Sequence, residues 1–195
     1  MNERENNTRW GIALALVALA AVGLAAFGLT QFVRDQPPGD HSVDAGFARD
    51  MSYHHAQAVE MSSIVYRRTQ DPKIQILAYD ILITQQSQIG MMSGWLNVWE
   101  LTAGSSDPPM AWMGHGMTGL MPGMATDEEV ASLETLPVKE MDRVFLQLMI
   151  RHHKGALDMA IAASERADVE FVRAIARNMA ASQQAEVTNM ERMLA

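Results

Sequence analysis

The sequence predicts an all-α protein whose main domain is a four-helix bundle. Three observations lead to this prediction. Apolar residues recur at every third or fourth position, no segment alternates apolar and polar residues as a half-buried strand does, and the two halves of the domain repeat each other. Helices with one apolar face bury that face against other helices, so two helical hairpins are expected to pair as a bundle. We predict this domain over residues 43–195, after a linker at 34–42.

The internal repeat relates residues 43–97 to residues 141–195 at a constant offset of 98 residues. The identical pairs include Asp44 and Asp142, Phe47 and Phe145, Met51 and Met149, His54 and His152, His55 and His153, Ala58 and Ala156, Met61 and Met159, and Gln85 and Gln183. One register kept over this length indicates a duplicated hairpin. Asp71-Pro72 separates the two helices of the first copy, and a polar bend at residues 166–168 separates those of the second.

A long connector, residues 98–137, joins the two copies. It contains a tract rich in Gly, Pro and Met, followed by Thr126 and Glu129 at the spacing of a capping box. This spacing predicts a short helix that ends before Pro137. A connector of this length can cross the whole bundle, as in ferritin-like topologies, or loop over one end.

The N-terminal region contains an apolar stretch, residues 10–33, after a polar segment at 1–9. About 20 apolar residues span a bilayer as a helix, so we predict a transmembrane anchor with a cytoplasmic N-terminus. Small residues at 24–26 also suit a signal peptidase, which makes cleavage the alternative. The expected location is the bacterial cytoplasmic membrane, with a single pass and the C-terminal domain outside the cytoplasm, or secretion after cleavage.

Composition excludes several functional classes. With 15 Lys and Arg against 23 Asp and Glu, the net charge of -8 offers no basic footprint for nucleic acid. The chain has no Cys, which excludes disulfides and thiolate metal sites. A di-iron carboxylate centre needs Glu-x-x-His motifs that the helices lack. No nucleophile with a base and an orienting group is evident, so we predict no catalytic residues and no enzymatic activity.

Histidines lie on helix faces that are predicted to point inward. Each copy places a His-His pair between two Met residues of the same apolar stripe, which brings imidazole nitrogen and thioether sulfur together twice. The candidate metal ligands are Met51, His54, His55, Met61, Met149, His152, His153 and Met159. Thioethers favour Cu(I) and need no deprotonation, and imidazole suits copper and zinc alike. The predicted bound metal ion is copper, as Cu(I).

The connector holds a second group of candidate ligands. These residues are Met110, Met113, His115, Met117, Met121 and Met124. Glycines separate them, so a helical core role is disfavoured and a flexible chain wrapped around Cu(I) is one interpretation. A hydrophobic lid over the end of the bundle is the other. Four further polar residues, Gln85, Gln183, Asp44 and Asp142, are predicted to support the ligands by hydrogen bonding, although both Asp residues also fit helix caps.

The motif His-His-x-x-Ala-x-x-Met, with the segments at residues 141–159 and 184–190, resembles the bacterial secreted domain-of-unknown-function family 305. The resemblance covers about residues 43–195. It implies a ferritin-like bundle outside the cytoplasm and, in some members, copper binding and resistance, without an established catalytic activity. The second copy keeps the family pattern at Gly155 and Glu186, whereas the first has Gln57 and Gln88.

Three functions stay open at the sequence level. The leading hypothesis is an extracytoplasmic protein that sequesters or delivers copper through the His and Met residues of the bundle. The alternatives are a metal-free interaction or structural module with hydrogen-bonded core histidines, and a redox protein that uses copper or haem. The expected partners are a metal ion and, through the N-terminal helix, the membrane. A second copy of the chain and a copper-handling protein are further candidates.

Overall fold

The computed structural model describes residues 21–24 and 36–195, and the all-α prediction is confirmed within them. The helices are α1 (Val43–Arg68), α2 (Pro72–Val98), α3 (Asp127–Thr135), α4 (Val138–Arg166) and α5 (Glu170–Leu194), with a short 3-10 helix at Ala111–Met113. All of them belong to one compact unit, Pro38–Ala195. Helices α1 and α2 form one hairpin, α4 and α5 form the other, and α1 packs against α4.

The predicted N-terminal transmembrane helix is not supported, and the fold prediction is corrected on this point. Within the described residues, no helix combines the length and the apolar character that a bilayer crossing requires. Of the predicted span 10–33, the structure describes only residues 21–24, which are helical and exposed. The remainder of that span and the predicted cytoplasmic segment 1–9 lie outside the described residues.

Local hydrogen bonds set the starts of three helices, and the sequence predicted two of these starts, at Asp71 and at Thr126. The hydroxyl of Ser42 accepts a hydrogen bond from the first turn of α1. The carboxylate of Asp71 does the same for α2, in which Pro72 occupies the first turn. Helix α3 begins with the predicted capping box, since Thr126 and Glu129 each bond the backbone of the other. These signals act within three residues, which is why the sequence reveals them.

The bundle core consists of two apolar clusters with polar residues between them. Helix α1 passes from the first cluster at Met51 to the second at Met61, whereas α4 passes from the second at Met149 to the first at Met159, so the two helices are antiparallel. The first apolar cluster is built around Phe47, Met51, Met92, Met110, Met121, Met124, Met159 and Met179. The second apolar cluster is built around Met61, Ile81, Leu133, Phe145, Met149, Val187 and Met190.

A repeated arginine fastens the connector at both of its ends. Near its start, Arg166 donates to the carbonyls of Trp112 and Met113 at 3.0 and 3.1 Å. Near its end, Arg68 donates to the carbonyls of Leu133 and Leu136. Because Arg68 and Arg166 are repeat-related, each copy of the hairpin holds one end of the connector. The connector therefore packs along the bundle surface between these two contacts.

The connector crosses α4 at a point of close backbone contact. A Cβ added at Gly155 would overlap the Pro122 carbonyl and lie 2.7 Å from the Gly123 Cα. At the repeat-related position of α1, the side chain of Gln57 instead bonds the backbone N–H and carbonyl of Ala125 at 2.7 and 2.9 Å. The difference between Gln57 and Gly155 thus follows from the path of the connector. The first copy binds the connector backbone by hydrogen bonds, and the second copy has no side chain where the connector backbone passes.

Replacing Gly155 with Ala should destabilise the protein. Neither partner in the overlap is the end of a flexible side chain, so the connector has to move, and we expect a loss of about 1–3 kcal/mol or more. Gly90, in the interior of α2, has no atom within 4 Å of an added Cβ. Gly90→Ala should therefore be neutral or stabilising by about 1 kcal/mol or less. Urea unfolding of the two variants tests this, and equal midpoints would contradict the close contact.

Candidate metal centre

Four histidines form a buried layer between the two apolar clusters. His54 and His55 come from α1, His152 and His153 come from α4, and none is more than 1% exposed. The rings of His54 and His152 meet across the helix interface, with their centroids 3.8 Å apart and their planes inclined by 41°. The His152 and His153 centroids are 6.1 Å apart. The antiparallel packing of α1 against α4 thus brings both His-His pairs to one level, which we name the histidine layer.

Three of the four imidazoles donate a hydrogen bond from Nε2 to an oxygen atom. The pairs are His54 with the Pro122 carbonyl (3.0 Å), His55 with Gln88 Oε1 (2.8 Å) and His153 with Glu186 Oε2 (2.6 Å). Carbonyl and carboxylate oxygens only accept, so Nε2 carries the proton in each of these bonds. In the neutral form of such a ring, Nδ1 has a free lone pair. Metal-binding histidines commonly have this arrangement, in which the second ring nitrogen donates to an oxygen.

The remaining ring nitrogens are buried without a partner among the described residues. They are Nδ1 of all four histidines and Nε2 of His152. An unsatisfied buried polar atom costs about 1–3 kcal/mol, so a cluster of them is unusual in a core. His152 has both nitrogens free, in the middle of the layer. The arrangement leaves several lone pairs available to a ligand that accepts electron density, such as a metal ion.

Burial keeps His54, His55 and His152 neutral. It lowers the pKa of His54 to about 4 and the pKa of His55 to about 3, and neighbouring imidazoles reinforce the effect. Burial likewise holds the pKa of His152 well below its usual range, with the rings of His54 and His153 as further causes. A metal ion competes with protons for the same lone pair. At neutral pH, protons therefore do not compete for these three rings.

The candidate thioether ligands flank the histidine layer on both sides. Met51 and Met159 lie in the first apolar cluster, Met61 and Met149 lie in the second, and all four are fully buried. Among the described residues, no three His, Asp or Glu side chains form a group that could hold a metal ion. The described residues therefore form no metal centre with three or more imidazole or carboxylate ligands. Any site in the layer needs thioether ligands or a low coordination number.

Five of the six members of the second predicted cluster pack against one apolar cluster, and the sixth does not. Met110, Met121 and Met124 are buried, and Met113 and Met117 are partly buried against the same first apolar cluster. The remaining member, His115, is exposed. Asp50 fixes the start of this segment, since its carboxylate accepts from the Met110 amide at 2.7 Å and from Trp112 Nε1 at 2.8 Å. The five methionines pack against the core, whereas His115 is exposed. Whether they bind a metal ion stays a prediction.

Gln85 and Gln183 lie at the level of the histidine layer. Gln85 follows Ile81 of the second cluster and precedes Met92 of the first, and Gln183 lies in the corresponding part of α5. Both are 3% exposed, and Gln85 Oε1 and both amide atoms of Gln183 have no partner among the described residues. Both amides are therefore buried near the layer, and their support of metal ligands stays a prediction.

Asp44 serves a different purpose from the predicted support of a metal site. Its carboxylate accepts hydrogen bonds from the backbone amides of Asp168 and Val169, at 2.9 and 3.0 Å. Helix α5 has no side-chain cap of its own, so Asp44 caps it from the other hairpin. Ten residues of helix separate Asp44 from His54, or about 15 Å, which prevents direct contact.

Asp142 occupies the repeat-related position in α4. Burial raises the pKa of its carboxyl group, while a hydrogen bond with Thr69, just before α2, opposes that shift. The same helical spacing separates Asp142 from His152. Both aspartates therefore join the two hairpins near the helix ends and lie too far away to orient the histidines.

Gln88 and Glu186 are residues that the sequence analysis did not assign to the site. They are a repeat pair, located three residues after Gln85 and Gln183 and so on the same helix face. This spacing was the one signal in the sequence that could have assigned Gln88 and Glu186 to the site. The Pro122 carbonyl is a backbone group from the connector, and no residue pattern indicates its contact with His54.

Comparison with known proteins relates the chain to one family and its structures. Residues 44–194 match the family described as domain of unknown function, DUF305. A candidate secreted DUF305 protein from Streptomyces coelicolor is 52% identical, with a TM-score of 0.77, over 80% of this chain and 94% of that one. A DUF305 fragment from Deinococcus radiodurans is 34% identical, with a TM-score of 0.68, over 81% and 97%.

A more distant structural neighbour contains copper. CopM in its Cu(II)-bound form is 25% identical, with a TM-score of 0.61, over 78% of this chain and 95% of that one. Its Cu(I)-bound and silver-bound forms, at 24% and 21% identity, share the fold. The curated protein L153 of Acanthamoeba polyphaga mimivirus is 41% identical over 54 residues, which is 28% of this chain and 36% of that protein.

The buried histidines should make the protein less stable in acid. A pKa lowered in the folded state means that the unfolded chain binds more protons. The contribution of the neutral histidines to folding stability is therefore complete above pH 6.5 and is lost as the pH falls toward 4. For His54 the loss is on the order of 3 kcal/mol at pH 4. Urea unfolding with a metal chelator present, from pH 7 to 4, should show a shallower decline for His54→Gln. The matched change at exposed His115 should keep the wild-type slope, and identical slopes for both variants would contradict the assignment.

Proposed function

The chain belongs to the DUF305 family, and from that membership and its histidine layer we propose an extracytoplasmic copper-binding protein that sequesters Cu(I) or hands it on. The observation that carries the proposal is the layer itself. Four buried imidazoles have Nδ1 atoms without a partner among the described residues, and they lie between two clusters rich in thioethers. The secreted character of the Streptomyces coelicolor relative supports the location outside the cytoplasm.

The donor set matches a soft, monovalent cation. Thioether and neutral imidazole ligands bring no negative charge, so a divalent ion would enter a buried site without charge compensation from its ligands. Cu(I) accepts these donors and tolerates few ligands. The absence of a group of three His, Asp or Glu side chains among the described residues also disfavours zinc and other borderline metals. The copper-bound CopM structure, which shares the fold, supports copper as the cargo.

The ligands would come from both hairpins. No more than two imidazoles of the histidine layer would bind one ion through Nδ1. The Nε2 hydrogen bonds to oxygen would hold the rings in place. The thioethers of Met51, Met61, Met149 and Met159 would approach from the two sides of the layer. The partly exposed Met113 and Met117 of the connector would receive copper before it reaches the core.

One observation favours a metal-free structural module instead. Three of the four histidines already have a hydrogen-bond partner, as core histidines do when they only stabilise a fold. This alternative does not explain His152, which has neither nitrogen paired among the described residues. The two functions differ in the response of folding stability to copper, because a ligand that binds only the folded state must stabilise it.

Anaerobic titration of the full-length chain with Cu(I), against a competing chelator, tests copper binding directly. Replacing His54, His55, His152 and His153 together with Ala should abolish tight uptake. His152→Ala is the milder variant, because it changes one buried side chain instead of four. A matched control replaces the exposed histidines His41 and His115 with Ala and should bind copper as the wild type does.

Thermal unfolding gives an independent measure of the same binding. At a free Cu(I) concentration one hundred times its dissociation constant, the wild type should gain about 2.7 kcal/mol of stability. The His152→Ala variant should gain less. A wild-type melting temperature indifferent to Cu(I) would favour the metal-free module and remove the histidine layer as a copper site.

A further inference from the structure

The two hairpins support their histidines with different oxygen acceptors. His55 donates from Nε2 to the amide oxygen of Gln88 at 2.8 Å, and His153 donates from Nε2 to the carboxylate of Glu186 at 2.6 Å. Residues 88 and 186 are related by the internal repeat, as are the two histidines. The duplication therefore compares an amide with a carboxylate at the same place in the same fold.

Glu186 is held in position against His153. Its side chain is 27% exposed, whereas the His153 side chain is fully buried, so the contact between them is shielded from water. The second carboxylate oxygen of Glu186 accepts a hydrogen bond from the Ser182 hydroxyl at 3.5 Å. Helix α5 thus presents a negative charge to the edge of the histidine layer. At the matching edge, α2 presents the neutral Gln88.

A carboxylate changes the chemistry of the imidazole to which it is bonded. It draws the Nε2 proton toward itself, which increases electron density at Nδ1 and makes that nitrogen a stronger donor to a metal ion. It also offsets the positive charge of a cation buried in the layer, an effect that grows as the surroundings lose water. An amide oxygen orients the ring but supplies no charge. The two edges of the layer are therefore unequal in their capacity to hold a cation.

We propose that Glu186 is a positioning residue that, through His153, directs copper first to the His152–His153 side of the layer. Copper binds more tightly there than on the His54–His55 side, where Gln88 supports His55. The inference rests on the proposed function, because it ranks two halves of the same copper-binding layer. It gives the second hairpin the stronger half and the first hairpin the weaker half. Copper filling then follows an order set by a single carboxylate.

Reciprocal exchange of the two acceptors tests the ranking in the full-length chain. Glu186→Gln should weaken the binding of the first equivalent of Cu(I) by about 10- to 100-fold, as loss of a hydrogen-bond partner of a metal-bound histidine commonly does. Gln88→Glu should strengthen the first hairpin by a comparable factor. The double exchange should restore tight binding of the first equivalent but reverse the order of filling. Unchanged affinity in both single variants would overturn the proposal.

Glu191→Gln is the matched control for charge. Glu191 lies on the same helix, is exposed, and pairs with Lys154 at 2.6 Å rather than with a histidine. Its replacement removes the same charge from α5 and should leave copper affinity unchanged. If Glu191→Gln weakens binding as much as Glu186→Gln does, the effect is the overall charge of the helix and the positioning role is refuted.

The order of filling can be observed by NMR of protein labelled with ¹⁵N in histidine. With half an equivalent of Cu(I), the ¹⁵N signals of the His153 ring should change more than those of the His55 ring. Glu186→Gln should remove that preference. A structural role for Glu186 alone would not alter the order. If Glu186→Gln fails to fold, the gain in affinity expected for Gln88→Glu decides the question.

Failure of this inference can be distinguished from failure of the proposed function. If His152→Ala and His153→Ala lose copper while Glu186→Gln binds it as the wild type does, only the ranking is wrong. If the histidine variants bind Cu(I) as the wild type does, the histidine layer is not the site and both proposals fall.

Discussion

The burial of four imidazoles in the middle of an apolar bundle is the constraint on which the rest of this structure depends. Each ring has to satisfy its polar atoms where water is excluded, and the surrounding elements supply the partners. Helices α2 and α5 contribute Gln88 and Glu186, and the connector contributes the carbonyl of Pro122. Among the described residues, the ring nitrogens without a partner are the four Nδ1 atoms and Nε2 of His152. These ring nitrogens lie in one layer, and the two apolar clusters separate that layer from the ends of the bundle.

The connector explains why two copies of one hairpin have diverged. A duplicated hairpin can pair with approximate two-fold symmetry, but a single connecting segment cannot obey that symmetry, because it crosses the bundle only once. Where it crosses, α4 has Gly155 and admits the backbone at Pro122, whereas α1 has Gln57 and holds the backbone of Ala125. Positions away from the crossing, such as Arg68 and Arg166, stay identical and perform equivalent tasks at opposite ends of the connector.

The chemistry of the layer follows from desolvation. Burial lowers the pKa of His54 and of His55, so their lone pairs are available at neutral pH, and thioethers on either side add donors that never bind a proton there. A site with these properties favours soft cations and does not depend on reduced thiols, which suits an oxidising compartment. The two copies differ in the acceptor that each gives its buried histidine, an amide at Gln88 and a carboxylate at Glu186.

The sequence by itself determined the helices, the caps at Asp71 and Thr126, the repeat and the inward direction of the histidines, because helical periodicity and capping hydrogen bonds act over a few residues. Its prediction of a transmembrane helix is not supported within the described residues. Only the tertiary structure decided that Asp44 caps α5, that Met51 joins the cluster of Met159, and that a connector carbonyl bonds His54. These contacts join residues far apart in the chain. Their existence depends on the antiparallel packing of α1 against α4 and on the path of the connector, which no local pattern encodes.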